Sequence, residues 1–272
     1  MHRPVCSNEL SASRSQNTPH ASRRGIVAGV AIFDDLVAEQ DRLDAILSGL
    51  DEADWAAPSA AAGWTVSDVM LHLAQTEEAV TASAAGADVT VRSPDGATLD
   101  EVMDRLVQAE RAAPAAVLQR WRAARLAAVA ALRAADPQQP LAWAAASLKP
   151  ATLATTRLAE HWAQGLDITG PLGIPFPDTA RLWHIAWLAQ RTLPYAFVLA
   201  GEQPHSVFCA LTAPDGTATW QYGPPEADSS ITGPVGAFCR VAAQRLTPSQ
   251  SGLHATGPHG ATALGLLRTY AA

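Results

Sequence analysis

Lysine is nearly missing from this sequence. All but one of its 19 basic residues are arginine, the exception being Lys149, and both asparagines, Asn8 and Asn17, fall close to the start. With alanine dominating the rest, this usage suggests a high-GC bacterial genome. The formal net charge is −7 and the isoelectric point about 5.6. Phosphate backbones need a concentrated basic face, so this balance argues against a nucleic-acid partner. Cysteine is scarce as well. Cys6, Cys209 and Cys239 are far apart, with no CxxC or zinc-knuckle spacing, which reads as a reduced, cytoplasmic protein. The contexts VFCAL and AFCRV make Cys209 and Cys239 buried, inert thiols. No apolar run reaches the ~18 residues of a membrane span, so no membrane partner is expected. GIVAGVAIF comes after Arg23-Arg24 but runs straight into Asp34-Asp35 without a cleavage pattern, so it is not read as a signal peptide. GxGxxG, phosphate-loop and HExxH motifs are all absent.

What is present is a chain of 272 residues with 48% hydrophobic content, enough for two modest domains. Residues 1–30 read as a disordered tail, being Ser, Asn, Pro, His and Arg without a hydrophobic period at the start. Helical spacing over 31–49 puts Ile32, Leu36, Leu43, Ile46 and Leu47 on one face. Asp51 or Asp54 can cap a brief helix broken by Pro58. Thr65 is an N-cap, with Asp68 as the reciprocal partner, for a helix running to about Ala85 that carries His72 beside its apolar stripe. Residues 98–135 are mostly helical with a break at Pro114, and Arg105, Glu110, Arg120, Arg122 and Arg125 read as a solvated face. Residues 150–168 form a fourth helix.

Four amphipathic helices before the linker Gly170, Pro171, Gly173, Pro175 and Pro177 predict a four-helix bundle over 31–170. After it, 178–272 reads as a small α+β domain. A helix capped by Asp178 comes first. Next come a hairpin around Ala213-Pro-Asp-Gly216, a weak strand near Ser230–Thr232, a helix from Gly233, a strand near Leu253–Thr256 and a last helix.

The chemistry gathers in RLAEHWAQGLD, residues 157–167. Glu160 and Gln164 are i and i+4, so they stack about 6 Å apart on one face, and His161 lies about 100° round the helix from Glu160. Bundles build metal sites from inward side chains on neighbouring helices, and imidazole with carboxylate suits zinc, nickel or iron. His72 and Glu160 are the first candidates. His161 can turn in as a third ligand or serve as a free acid or base, and Gln164 is a weak ligand. The plain alternatives are a satisfied core histidine at 72 and surface residues at 160–161. Trp64, Trp162, Trp183 and Trp187 can line a pocket or be ordinary core. His184, with Arg181 and Arg191 nearby, binds an acidic substrate or a thiol's polar arms, or packs the two domains together.

GWTVSDVMLHLAQTEEAV and ATTRLAEHWAQGLDI resemble the two signature stretches of the DinB-like superfamily. The nearer resemblance is to the mycothiol-dependent maleylpyruvate isomerase group and its actinobacterial metal-binding relatives. Gly63-Trp64-Thr65, His72-Leu73-Ala74, Glu160 and Asp167 match that group's pattern, and RLWHIAWLAQRT, ALTAPDG and FCRVAAQR resemble its C-terminal (SCP2-like) domain. The resemblance implies a DinB-like bundle plus a small α+β domain. It also implies a divalent metal such as zinc on His72 and Glu160, and mycothiol or another low-molecular-weight thiol as cofactor. The group's second metal-binding histidine falls on Gln164, so either His161 completes the site or the fold is reused without metal.

Three readings are compatible with these residues. The first is a thiol- and metal-dependent isomerase or transferase acting on a small molecule, as a monomer or homodimer. The second is a metal-independent cyclase or isomerase of specialised metabolism, with His161 or His72 as base and Glu160 as acid. The third is a ligand-binding protein without catalysis.

Overall fold

A computed structural model describes residues 21–90, 96–144 and 146–269 of the chain, so Cys6, the first part of the expected tail and most of the Ser-Pro-Asp-Gly turn lie outside the described residues. Helix α1 spans Ala21–Leu47. The segment expected to be tail through residue 30 is therefore helical from Ala21 onward. Extending an existing helix costs far less than nucleating one, so a stretch without hydrophobic period can still propagate it.

Helix α2, Glu52–Ala56, starts at Asp51, whose carboxylate accepts from the Asp54 amide while Asp54 returns the bond. Helix α3, Val66–Ala84, has the same reciprocal cap between Thr65 and Asp68. Arg111 grips the Asp68 carboxylate with two bonds of 2.8 and 3.0 Å, so the start of the helix that carries His72 is tied to the segment after α4. Helix α4 is Leu99–Ala109 and α5 is Pro114–Ala134, with Pro114 in the first turn, where its missing N–H costs nothing. Arg125 does not belong to a solvated face. It is 8% exposed and paired with Asp41 and Asp44 of α1. A hairpin of β1, Leu141–Trp143, and β2, Ala146–Leu148, precedes α6, Pro150–Thr169. Three-residue strands are too short for alternation to register, so periodicity assigns nothing there.

Helices α1, α3, α5 and α6 pack on one another, α3 chiefly against α5 and α1 against α6. One apolar cluster holds Leu43, Val69, Met70, Leu73 and Trp121. A second runs unbroken from Leu36 and Leu158 to Ile185 and Phe238, joining the helical part to the elements beyond the linker. The linker folds back on α6. A Cβ at Gly165 would lie 2.6 Å from the Phe176 ring, so glycine is what lets this strap lie on the helix.

Helix α7 is Leu182–Leu199, and Asp178 is not its cap. That carboxylate instead takes two bonds of 2.8 and 2.9 Å from Arg240, an ion-paired partner far along the chain displacing the local capping role. Strands β3 (Val207–Thr212), β4 (Thr219–Tyr222), β5 (Ser229–Pro234) and β6 (His254–Thr256) form a sheet in the order β4-β3-β5-β6. In this sheet β3 and β5 are parallel, while β3–β4 and β5–β6 are antiparallel. Helices α8, Val235–Ala242, and α9, Gly260–Leu266, complete a small α+β part. Among the described residues no helix is long and apolar enough to cross a membrane.

Cys209 and Cys239 are fully buried. Burial pushes the Cys209 thiol up to about 12 and raises Cys239 in the same direction. Since thiolate is the reactive form, neither should be alkylated by iodoacetamide at pH 8 in the native protein, and both should react once it is denatured. Mass spectrometry of the labelled peptides reads this directly.

Candidate functional site

The apolar period of α3 turns His72 toward α6, whose own polar stripe presents Glu160, Gln164 and Asp167 at i, i+4 and i+7. His72 Nε2 lies 3.3 Å from Glu160 Oε1. The Gln164 amide nitrogen donates to that same oxygen over 3.1 Å. His72 is 8% exposed and Gln164 7%, while the Glu160 side chain keeps about 30% of its surface. Burial alone would push the Glu160 carboxyl up. The hydrogen bond from His72, the charge that ring carries once protonated, the charge of Arg157 and the Gln164 amide outweigh it and hold the carboxyl well below the ordinary carboxylate range. With Nε2–H donating to the carboxylate, His72 Nδ1 is the free nitrogen, and it is buried without a partner. Gln164 Oε1 is likewise buried and unpartnered. The Trp64 ring sits 5.2 Å from the imidazole, anchored by its indole N–H to Asp104 at 3.0 Å.

His161 is elsewhere. It is 0% exposed and faces α5, where its Nε2 accepts from the Trp121 indole at 3.2 Å and its Nδ1 donates to the Arg157 carbonyl at 2.8 Å. An indole N–H can only donate, so this is the neutral Nδ1–H tautomer with both nitrogens engaged. Burial pushes its proton affinity down, against the raising effect of Glu77. Of the two alternatives for His161, a third ligand turned toward Glu160 or a free acid or base, neither matches this placement, because the 100° step round the helix points it at Trp121 and both its nitrogens are engaged.

The other expected residues disperse too. Trp162 is 2% exposed in the core, with the Arg240 guanidinium 5.6 Å over its ring. Trp187 is half-buried against the larger core cluster. His184 Nε2 contacts Asp35 of α1 at 2.8 Å, joining the helical part to α7.

Beneath the pair lies a group that sequence reasoning overlooked. Glu77 of α3 is 0% exposed, and Arg157 donates to it at 2.8 Å and to Thr76 Oγ1 at 2.7 Å. Its signal was available. Glu77 falls four residues after Leu73 and three before Val80, on the apolar stripe itself, where a carboxylate has to have a partner.

Two turns beyond Glu160, about 10 Å along α6, a cleft of about 630 Å³ opens between the helical and α+β parts, lined among others by Ala60, Asp167, Arg245, Thr247 and Gln250. Arg245 holds Asp167 with two hydrogen bonds at its edge.

A divalent metal, the group the resemblance implies, meets only part of a donor set here. His72 and Glu160 converge, but the third neighbour offers an NH2, which cannot ligate. A ligating histidine also normally donates its other N–H to a fixed acceptor, and His72 Nδ1 has none. Among the described residues no group of three or more His, Cys, Asp or Glu side chains is placed to hold a metal ion. The residues present do not fit a resident metal.

Comparison with known proteins places the chain. The family model of the mycothiol maleylpyruvate isomerase N-terminal domain matches residues 36–169. Two uncharacterized proteins of Mycobacterium tuberculosis, from strains CDC 1551 / Oshkosh and ATCC 25618 / H37Rv, are each 36% identical over 230 residues, covering 82% of this chain and 88% of theirs. Crystal structures of a mycothiol-dependent maleylpyruvate isomerase and of a mutant of it superpose with a TM-score of 0.57 at 16% and 15% identity, covering 84% of this chain and 92% of theirs. At that identity the likeness is one of fold.

Proposed function

The chain belongs to the mycothiol maleylpyruvate isomerase N-terminal domain family, and from that premise we propose that it is an isomerase or transferase acting on a small organic molecule with a low-molecular-weight thiol, mycothiol or a relative. Its site lies between α3 and α6 of a DinB-like four-helix bundle over 31–170, with the α+β domain of 178–272 laid against it, in a cytoplasmic enzyme. The observation that carries the reading is the contact of His72 with Glu160 across the two helices, beside a nitrogen without a partner.

A bound thiol supplies a sulfur nucleophile that adds reversibly to an unsaturated carbon. The chain's own task is to move the proton. Glu160 accepts from Nε2–H, fixes the imidazole and stabilises the positive charge once Nδ1 takes a proton, the division of labour of carboxylate–histidine pairs in acyl-transfer enzymes. Gln164 holds Glu160 in place from one turn further along the helix. Nδ1 is closed to solvent, so a ligand that reaches it has to open the packing around the imidazole, of which the Trp64 ring, 5.2 Å away, is one part. The cleft at Asp167 has the size of a small-ligand site and accommodates the bulk of substrate or thiol. Two N–H groups converging on one carboxylate oxygen, two turns from such a cleft, favour turnover over simple binding.

The test is thermal melting with and without thiol, and then turnover. At about 100 times its dissociation constant the thiol should stabilise the fold by about 2.7 kcal/mol, a shift of several degrees. Maleylpyruvate should then isomerise only when the thiol is present. If neither mycothiol nor any other small thiol shifts the melting temperature at millimolar concentration, the reading is wrong.

A further inference from the structure

The same three residues bear on which ligands the site refuses. Two donors on one tetrahedral ion at about 2.0–2.1 Å stand about 3.3 Å apart, and His72 Nε2 and Glu160 Oε1 are separated by 3.3 Å. Two ligands are thus already spaced for an ion. What faces them is the Gln164 NH2, donating to the very oxygen an ion would need. Turning the amide over would set its Oε1 against Glu160 Oε1, two acceptors facing each other, which needs a cation or an added proton between them. With the NH2 inward, the carboxylate is satisfied by two N–H donors, and Gln164 Oε1 remains a buried acceptor without a partner.

We infer that Gln164 is the specificity-determining residue that closes this site to divalent metal ions, its amide standing where a third ligand would have to be, so that the site takes a hydrogen-bond donor of the ligand rather than a cation. The neutral NH2 satisfies Glu160 Oε1 without bringing a charge that a bound anion could bridge to. Any ion entering has to remove this bond and accept a weak amide oxygen in its place. A histidine at 164 would present an imidazole from the same i+4 position and complete a His2–Glu set. The inference concerns the same site as the proposed thiol chemistry, but it is read from metal content and needs no turnover. Failure of one therefore leaves the other standing.

The experiment uses the full-length chain without an affinity tag, dialysed against buffered micromolar zinc and then analysed for metal. The wild type should carry less than about a tenth of an equivalent. Gln164→His should approach one equivalent, and Gln164→His combined with His72→Ala should fall back to the wild-type level, which separates this site from surface histidines. Zinc should leave the melting temperature of the wild type unchanged and raise that of Gln164→His. A wild type that retains close to one equivalent overturns the inference. So does a Gln164→His protein that melts cooperatively yet takes up no more zinc than wild type. Should Gln164→His not fold, the wild-type melting curve decides, since a zinc-dependent rise there contradicts a closed site.

Discussion

Arg157→Met should cost about 3–5 kcal/mol of stability, the range for removing one member of a buried ion pair. Arg157 donates to Glu77 and Thr76 of α3, and both charged side chains are almost wholly enclosed, 4% and 0% exposed. Its guanidinium also lies 5.6 Å over the Trp143 ring of the hairpin. One side chain therefore fastens α3, α6 and β1 together. Taking it away leaves the Glu77 carboxylate buried, and its Oε2 already lacks a partner. The charge can be relieved only by taking up a proton or by letting water in. Urea unfolding should show the loss as a lower midpoint with little change in slope. Combining Arg157→Met with Glu77→Leu should recover most of it, because an apolar pair of similar volume often replaces a buried ion pair at little cost. A single-variant loss below about 1 kcal/mol would mean that Glu77 has another way to be solvated. The position also carries a functional consequence. Arg157 is one of the charges holding the Glu160 carboxyl low, so the clamp and the candidate site share a residue.

His72→Ala should lower thiol-dependent turnover by about 10²–10⁴-fold, the range for losing a positioned acid–base group. The argument rests on the free nitrogen. Glu160 engages Nε2, leaving Nδ1 without a partner, and the adjacent imidazole of His161 is not available, since both its nitrogens are engaged with Trp121 and the Arg157 carbonyl. Glu160→Ala should bring a loss of similar order. The double variant should be little worse than either single one, because residues acting as one unit do not contribute additively. His161→Gln, by contrast, should alter stability and leave the rate constant of the folded fraction close to wild type. Steady-state rates with stability measured in parallel separate these outcomes. A His72→Ala enzyme keeping more than about a tenth of wild-type activity would remove His72 from the chemistry.

Much of this protein was legible before any coordinates. The cap at Thr65, and the one left open between Asp51 and Asp54, are local, set by a side chain reaching a backbone amide three residues away; the structure has the Thr65 cap and chooses Asp51 for the other. The hairpin at Ala213-Pro-Asp-Gly216 is local too, with Gly216 at φ 73°. The i, i+4 stacking of Glu160 and Gln164 comes from helix pitch alone. The family resemblance came from short motifs that lie at and on α3 and α6.

The tertiary structure decided whatever depends on the direction of a side chain toward another element. Sequence spacing left His161 free to turn either way; packing against Trp121 of α5 settled it. Asp178 had the right place for a cap, and Arg240, 62 positions further on, took it instead. Arg125 looked solvated on its own helix until α1 supplied Asp41 and Asp44. The Glu77–Arg157 clamp joins residues 80 positions apart. Partner choice over such distances is set by which faces the core brings together, and helical periodicity carries no information about the opposite face.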